Sequence, residues 1–333
     1  MKIVDDVKKK ILPSKDYLFK TIRVDGKKIE IIFNEVLTDG RGINEYILEE
    51  LVNLNKKELL NLENKLTTCN CKIIKKDEIL DSLNNGFVVI IYKKIYACEI
   101  RANLDRGVNT IESELSISGP KDSFSETYNT NLGLIRRRIK SCDLKVIDFT
   151  IGKISKTKVG LLYVDGICNK KLVKKIEKSL RMIDIDGIID SSYLKNSLEN
   201  KKKLFPTIMM SERPDKSSMA LLEGKVVIIV DTSPYALILP SFFFDFFHTT
   251  DDYFQKNVNT TFIRIIRVFA FFIAIFTPAV YIAVTTRNYD LVPLPLLLML
   301  KAGRTFVPFP AYIEALFMIV CFEILKESDL RMS

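Results

Sequence analysis

Apolar positions with two different periods divide roughly the first 240 residues into two similar halves. In the first half the strand pattern IEIIFNEVL precedes the helical pattern INEYILEELVNL, and FVVIIYKKIYACEI (87–100) has the form of a hairpin. In the second half the strand pattern KVGLLYV (158–164) precedes a helix over 169–183, whose apolar face contains Leu172, Val173, Ile176, Leu180 and Ile183. These patterns predict two α/β lobes.

The two halves also match each other over a helix end and the hairpin that follows it. DSLNNGFVVII (81–91) aligns with MALLEGKVVII (219–229) at an offset of 138 residues, and the first strands align at about 130. In each segment a glycine follows a short helix, where its left-handed conformation ends the helix. The match favours an internal duplication; the alternative is the chance likeness of any two α/β lobes. We predict related lobes over 1–120 and 143–245.

A helical linker is predicted over 121–142, between the lobes. FSETYNTNLGLIRRRI (124–139) has apolar residues at helical spacing. Arg136, Arg137 and Arg138 fall near the helix C-terminus, where positive charge suits the helix dipole. The three arginines indicate a solvated or domain-contacting face, and the alternative is a specific anion site.

The sequence becomes much more apolar after the second lobe, and a membrane domain is predicted over 246–333. Between Arg267 and Arg287 lie 19 uncharged residues, which at ~1.5 Å per residue nearly cover the hydrocarbon core of a bilayer. Arg264 and Arg267 can reach the headgroups from one end, and Pro278 should kink the helix in mid-span. The pattern predicts a transmembrane α-helix with the N-terminal region on the cytoplasmic side.

The segments that follow are harder to place in a bilayer. LVPLPLLLMLKAGR (291–304) is too short to span and indicates an interfacial element, whereas 306–327 is apolar except for Glu314 and Glu323. A charge at mid-bilayer costs roughly 3 kcal/mol, so Glu314 is expected to face protein, water or a partner helix. The alternative is a re-entrant helix that leaves Glu314 near the interface. One clear span makes a poor channel, and the sequence predicts a partial membrane domain.

Charge and residue types then narrow the possible chemistry. The net charge of +9 comes from lysines scattered along the lobes, with no arginine-rich arm, and an anionic membrane surface explains it better than nucleic acid. Six dispersed cysteines and an N-terminus without a signal core predict reduced thiols facing the cytoplasm. His248 is the single histidine and fits a packing or interfacial role. No phosphate-binding loop or nucleophile elbow is found, so no catalytic, cofactor-binding or metal-binding residue is predicted, and we expect no enzyme.

The turn SERPD (211–215) concentrates charge just before the last helix and hairpin of the second lobe. Pro214 fixes one backbone angle and keeps the preceding residue extended. Such a turn can hold Arg213 against Glu212 or against a neighbouring chain, with Asp215 beside it. Because an aromatic stretch suited to the headgroup level follows, the order suggests transmission from lobe to membrane. The alternative is a structural loop without a signalling role.

These stretches together resemble the A-subunit family of spore germinant receptors, the GerA family. The resemblance is collinear from about residue 118 to 331, while residues 1–117 fit only in general plan. The matching segments are GPKDSFSETYNTNLGLIRRRIKS, IGKISKTKVGLLYV, SERPD, LLEGKVVIIVDTSPYALILP, DDYFQ, TTFIRIIRVFAFF, PAVYIAVTT and VPFPAYIEALFMIVCFEILKE.

The resemblance implies a multi-pass protein of the spore inner membrane that relays germinant binding to ion release. It also implies a transporter-like B-type subunit and a C-type lipoprotein as partners, and a homo-oligomer that forms the ion-conducting part. Family members carry further transmembrane helices, so we expect this chain to be truncated. Two alternatives stay open: a sporulation-stage paralogue that modulates release of spore solutes, and an α/β enzyme tethered to the membrane.

Overall fold

The computed structural model describes residues 2–24, 26–54, 62–66, 70–103, 114, 119–199, 205–253, 257–287, 292–304 and 309–332. The chain divides into two compact units, 1–254 and 255–333. The first unit contains both predicted lobes, and each lobe is built on one five-stranded sheet.

The first lobe begins with α1 (Lys2–Ile11) and the strand pair β1 (Tyr17–Val24) and β2 (Lys27–Asn34). A helical segment follows, consisting of α2 (Gly40–Ile43), a π-helical turn (Asn44–Leu48) and α3 (Glu49–Val52), and after it come α4 (Leu62–Lys65) and β3 (Cys71–Ile73). A 3-10 turn (Lys76–Glu78) leads into α5 (Ile79–Asn84) and the predicted hairpin, β4 (Phe87–Ile91) and β5 (Ile95–Glu99). The strand order is β1-β2-β4-β5-β3.

The second lobe repeats this plan after the linker helix α6 (Tyr128–Arg138). Its elements are β6 (Leu144–Ile151), β7 (Thr157–Val164), α7 (Lys170–Arg181), α8 (Ser191–Leu198), β8 (Met209–Ser211), α9 (Pro214–Leu222), β9 (Val226–Val230) and β10 (Ala236–Leu239). The strand order β6-β7-β9-β10-β8 is that of the first sheet, strand for strand. This identity supports the predicted duplication.

All strand pairs in both sheets are antiparallel, so the lobes combine helices with antiparallel sheets instead of the parallel sheet that α/β suggests. Strands such as β9 have continuous apolar sequences because they are buried on both faces of the sheet. In β9 every residue is buried, because alternate side chains pack against two different clusters, one that includes α6 and α9 and one that includes α7 and α8. A strand covered on both faces has the continuous apolar sequence that is typical of parallel sheets.

Cys71 and Cys98 form a disulfide, so the prediction of reduced thiols is wrong for this pair. The two residues lie directly opposite each other on β3 and β5, with their Cα atoms 4.1 Å apart. They are 27 residues apart in the chain, and only strand pairing brings them together. Cys142, Cys168 and Cys321 are free thiols, whereas Cys69 lies outside the described residues.

The second unit consists of α10 (Asn257–Thr286), α11 (Leu294–Arg304) and α12 (Ala311–Met332). Within α10 the segment Val258–Val284 is long and apolar enough to cross a membrane, and among the described residues it is the one helix that meets both conditions. Two short 3-10 helices, Phe243–Phe247 and Thr250–Tyr253, precede this unit at the end of the second lobe.

Candidate functional site: the SERPD turn and the lobe junction

The SERPD turn joins β8 to α9 in the second lobe. Ser211 ends the strand and Pro214 begins the helix, where a missing N–H removes no helical hydrogen bond. Arg213, with φ −98° and ψ 120°, is extended, as expected before a proline. The Ser211 hydroxyl accepts a hydrogen bond from the Arg213 N–H at 3.2 Å, which closes the turn.

Arg213 is completely buried and pairs with Asp215. Its Nε and Nη2 donate to the two carboxylate oxygens of Asp215 at 3.0 and 2.7 Å. The structure pairs Arg213 with Asp215, because the first turn of α9 brings this carboxylate to the guanidinium, and a contact with a neighbouring chain stays a prediction. Burial opposes the charge of Arg213, but the hydrogen bonds and charge of Asp215 outweigh it and raise the pKa of Arg213.

Arg213 also contacts the segment that connects the lobes. We call its described part, residue 114 and residues 119–124, the inter-lobe segment. Its Nη1 donates to the Glu114 carbonyl at 3.1 Å and its Nη2 to the Pro120 carbonyl at 3.0 Å. Glu212 adds two bonds to this segment: its carboxylate accepts from the Glu114 N–H at 2.9 Å and its carbonyl accepts from the Phe124 N–H at 2.8 Å. The turn therefore holds the inter-lobe segment at three points.

The side chain of Glu114 completes the cluster. Its carboxylate forms an ion pair of 2.6 Å with Lys216 and accepts a hydrogen bond from the Ser211 hydroxyl. The cluster thus contains three carboxylates, of Glu114, Glu212 and Asp215, and two cations: Arg213 pairs with Asp215, Lys216 pairs with Glu114, and Glu212 is held by the Glu114 N–H. Glu114 was not among the predicted residues, because nothing in its local sequence marks it as a partner for a turn almost 100 residues away.

A second buried ion pair, between Arg136 and Asp16, lies where the two lobes meet. We call this region the lobe junction, and it consists of Asp16, Tyr17, Asn34, Arg136 and Lys145. Arg136 projects from α6, and its Nε and Nη2 donate to the Asp16 carboxylate at 2.8 and 3.1 Å. The side chains are 1% and 4% exposed, so the pair is removed from water. Of the two roles predicted for the arginines, the structure gives Arg136 the domain-contacting one.

Both members of this pair have a further neighbour at the junction. The Asn34 amide donates to Asp16 at 2.9 Å, and the guanidinium of Arg136 lies 5.2 Å from the centre of the Tyr17 ring. Lys145 of β6 donates to main-chain carbonyls at the end of α1, and burial lowers the pKa of its amine. The junction is also apolar in part, since Val36 and Leu37 of the first lobe belong to the same buried cluster as α6 and β7.

The other two arginines of α6 do different things. Arg138 is half-buried and pairs with Asp122 of the linker, with one Nη2 contact of 2.6 Å. Arg137 is exposed on the helix surface. All three lie in the last turn of α6, as predicted, but they point to different surroundings and do not converge on one site.

The predicted intramembrane residues belong to the second unit. Arg264, Arg267 and Pro278 are half-buried on α10, which continues through the proline without interruption. Glu314 is half-buried in the first turn of α12, and α10 and α12 are in contact. The alternative positions of Glu314 within a bilayer stay predictions.

The class of this protein is defined by two sheets of the same strand order, which buried ion pairs hold together, and by a helix apolar enough to cross a membrane. The family model described as Bacillus/Clostridium GerA spore germination protein matches residues 5–333. The chain belongs to the GerA family of spore germination proteins.

Individual relatives agree with this assignment. Spore germination protein KA of Bacillus subtilis (strain 168) is 34% identical over 344 residues, which cover 99% of this chain and 63% of that protein. Spore germination protein GerQA of Bacillus cereus is 32% identical over 338 residues, covering 100% of this chain and 68% of the relative. The chain thus spans about two thirds of the length of these relatives.

A solved structure matches the two-lobe unit. The N-terminal domain of the A subunit of the Bacillus megaterium spore germinant receptor GerK3 superposes with a TM-score of 0.56 at 30% identity. The match covers 72% of this chain and 94% of that domain. The lobes described above therefore have the fold of a germinant-receptor A-subunit domain.

Proposed function

We propose that this chain acts as the A-type subunit of a nutrient germinant receptor and relays germinant binding to ion release during spore germination. The observation that carries the proposal is the match of both lobes to the N-terminal domain of a receptor A subunit, at 30% identity over 94% of that domain. The family match continues from the lobes through the apolar helices, to residue 333. The proposed role is that of a non-enzymatic receptor subunit.

In this proposal the protein lies in the spore inner membrane as a multi-pass protein, with its lobes on the cytoplasmic side. It works with a transporter-like B-type subunit, which takes the germinant, and with a C-type lipoprotein. Copies of the A-type subunit assemble into the oligomeric ion-conducting part. The apolar segment Val258–Val284 supports a membrane position.

The SERPD turn and the lobe junction supply a physical route for the relay. Lobes that move together can pass a signal on, and buried charge pairs resist independent movement because separating them leaves charges unpaired in the interior. Arg213 and Glu212 hold the inter-lobe segment to the second lobe, and Arg136 holds the first lobe to α6. The proposed assembly and signalling residues thus act by keeping the lobes as one body.

The test is genetic replacement in the spore-former that carries this chain. The complete gene is exchanged for an Arg213→Ala variant, and release of monovalent cations from spores is followed after mixed nutrients are added. We expect slower or absent release together with reduced recovery of the receptor complex. The matched control is Lys153→Ala, which breaks the exposed pair with Asp184 and should leave both readouts unchanged. Unaltered complex formation and ion release in the Arg213→Ala spores would remove the proposed relay.

A further inference from the structure

The second lobe carries a basic helix face that is not used by the SERPD turn or the lobe junction. On α7 the apolar residues Val173, Ile176 and Leu180 are buried in the lobe. Lysines occupy the opposite side at helical spacing, and they form a stripe that we call the α7 lysine stripe: Lys171, Lys174, Lys175 and Lys178. Within the part of the chain that the structure describes, none of these four amines is paired with a carboxylate.

An aromatic ridge lies beside this stripe. Phe242, Phe244 and Phe246, which we call the Phe collar, are 63%, 59% and 45% exposed. The intervening Phe243 is half-buried, and its ring centre lies 5.2 Å from those of Phe205 and Phe247. The exposed rings therefore fall at alternate positions, while Phe243 packs against neighbouring rings.

The one acidic residue inside the collar does not face outward as a free charge. Asp245 pairs with Lys225 at 3.0 Å and accepts a hydrogen bond from the Phe242 N–H at 2.9 Å. The carboxylate is thus occupied in holding the collar to the lobe, and it does not oppose an approaching anionic surface.

The stripe and the collar share one surface. A cavity of about 340 Å³ is lined by Lys175 and Ser179 of α7 on one side and by Ser241 and Phe242 on the other. Its floor is apolar, with Ile176 and Leu239. Lys175 of the stripe and Phe242 of the collar therefore meet at a common opening.

We propose that this face of the second lobe docks on an anionic lipid bilayer. Lysines near an anionic membrane surface each strengthen binding by roughly fivefold, and aromatic rings favour the headgroup level. A lipid bilayer is the expected partner, because the segment that is apolar enough to cross a membrane begins at Val258, only 11 residues after Phe247. Docking of this face would hold the lobe against the membrane that the helix enters.

The absence of tryptophan from the sequence allows a direct test with the full chain. The Phe244→Trp variant places a single fluorophore on the collar, and Tyr46→Trp places one on an exposed position of the first lobe. Each variant is reconstituted in nanodiscs of phosphatidylcholine, with or without phosphatidylglycerol, that contain bromine-labelled lipid. We expect strong bromine quenching of Phe244→Trp in the phosphatidylglycerol discs and little quenching of Tyr46→Trp.

The charge requirement is tested by replacing the four stripe lysines with Glu in the Phe244→Trp background. We expect this change, or omission of phosphatidylglycerol, to remove most of the quenching. The matched control makes the same replacement at four exposed lysines of the first lobe, Lys15, Lys27, Lys93 and Lys94, and should leave the quenching unchanged. Equal quenching of the two Trp variants, or quenching that ignores both the stripe and the lipid charge, would overturn the proposal. An equal loss in the control variant would overturn it as well.

Discussion

The guanidinium of Arg136 and the carboxylate of Asp16 lie 2.8 Å apart at the buried junction of the two lobes. The two residues are 120 positions apart in sequence. Asp16 directly precedes β1 in the first lobe, and Arg136 belongs to the linker helix α6. Their contact makes the orientation of the lobes a matter of charge pairing as well as apolar packing. The predictions below start from this pair.

Removal of Asp16 should destabilise the two-lobe unit strongly. Asp16→Ala leaves the Arg136 charge buried without a partner, and the expected loss in free energy of unfolding is ~3–5 kcal/mol. Denaturant unfolding of the full chain in detergent, followed by circular dichroism, measures this loss. Asp184→Ala, which breaks the exposed pair with Lys153, should change stability by less than about 1 kcal/mol.

Replacing both members of the pair separates charge balance from packing. In Asp16→Leu/Arg136→Met neither member leaves an unpaired buried charge, so most of the lost stability should return. If the double variant is as unstable as Asp16→Ala, the junction depends on the hydrogen bonds of the pair and not on compensation of a buried charge.

Arg213→Ala should release the inter-lobe segment from the second lobe. The variant loses the hydrogen bonds to the carbonyls of Glu114 and Pro120, and the exposed Lys121 follows directly in the chain. We expect trypsin to cut after Lys121 several-fold faster in folded protein, because cleavage needs local opening. Mass spectrometry of timed digests gives the rate. Lys153→Ala, which breaks an exposed ion pair, supplies the comparison, and an equal rate in both variants would show that Arg213 does not restrain the segment.

Glycine should be required where each hairpin begins. Gly86 and Gly224 have φ of +79° and +85°, and a Cβ would lie 2.8 Å from the Leu37 carbonyl oxygen in the first lobe and 3.2 Å from that of Ile167 in the second. Alanine at either position should destabilise by more than the ~1 kcal/mol of backbone strain alone, and more at Gly86. Gly26→Ala is the control, because its φ is +73° but nothing lies within 4 Å. Thermal unfolding should rank the variants in that order.

Asp190 should give the second lobe a measurable acid sensitivity. Burial raises the pKa of its carboxyl, but hydrogen bonds from Ser192 and Ser233 outweigh this and lower the pKa below the ordinary value. A carboxylate of this kind stabilises the fold above about pH 3.9 and loses that contribution as the pH falls further. The stability gap between the native chain and Asp190→Asn should therefore be full at neutral pH and shrink in acid. A gap that is constant over this range would contradict the assignment.

Most helices and strands were predictable, because hydrophobic period and segment length are properties of a short stretch of sequence. The hairpins, the helices α7 and α9 and the long apolar helix follow from period and length, and the two offsets of 138 and about 130 residues reappear in the structure. Gly86 meets Leu37 as Gly224 meets Ile167, which are pairs separated by those same offsets. Beyond the hairpins, the α/β assignment did not specify that the whole sheets are antiparallel, since strands buried on both faces carry the same apolar run whichever way they pair.

The candidate site was predictable only in part. The charged turn and the arginines of α6 stand out in the sequence, but Glu114, Asp16 and Asn34 do not. A charge in a sequence does not specify its partner, so Glu212 and Asp215 were equally available to Arg213. The disulfide between Cys71 and Cys98 likewise depends on the pairing of β3 with β5.

The sequence by itself determined two repeated lobes, a linker helix and a membrane-grade segment, because periodicity, glycine positions and hydropathy act within one element. Tertiary structure alone decided which charges meet: Arg136 with Asp16, and Arg213 with Asp215 and the inter-lobe segment. Ion pairing depends on distance and burial in the folded chain, and these are set by the packing of elements that lie far apart in sequence.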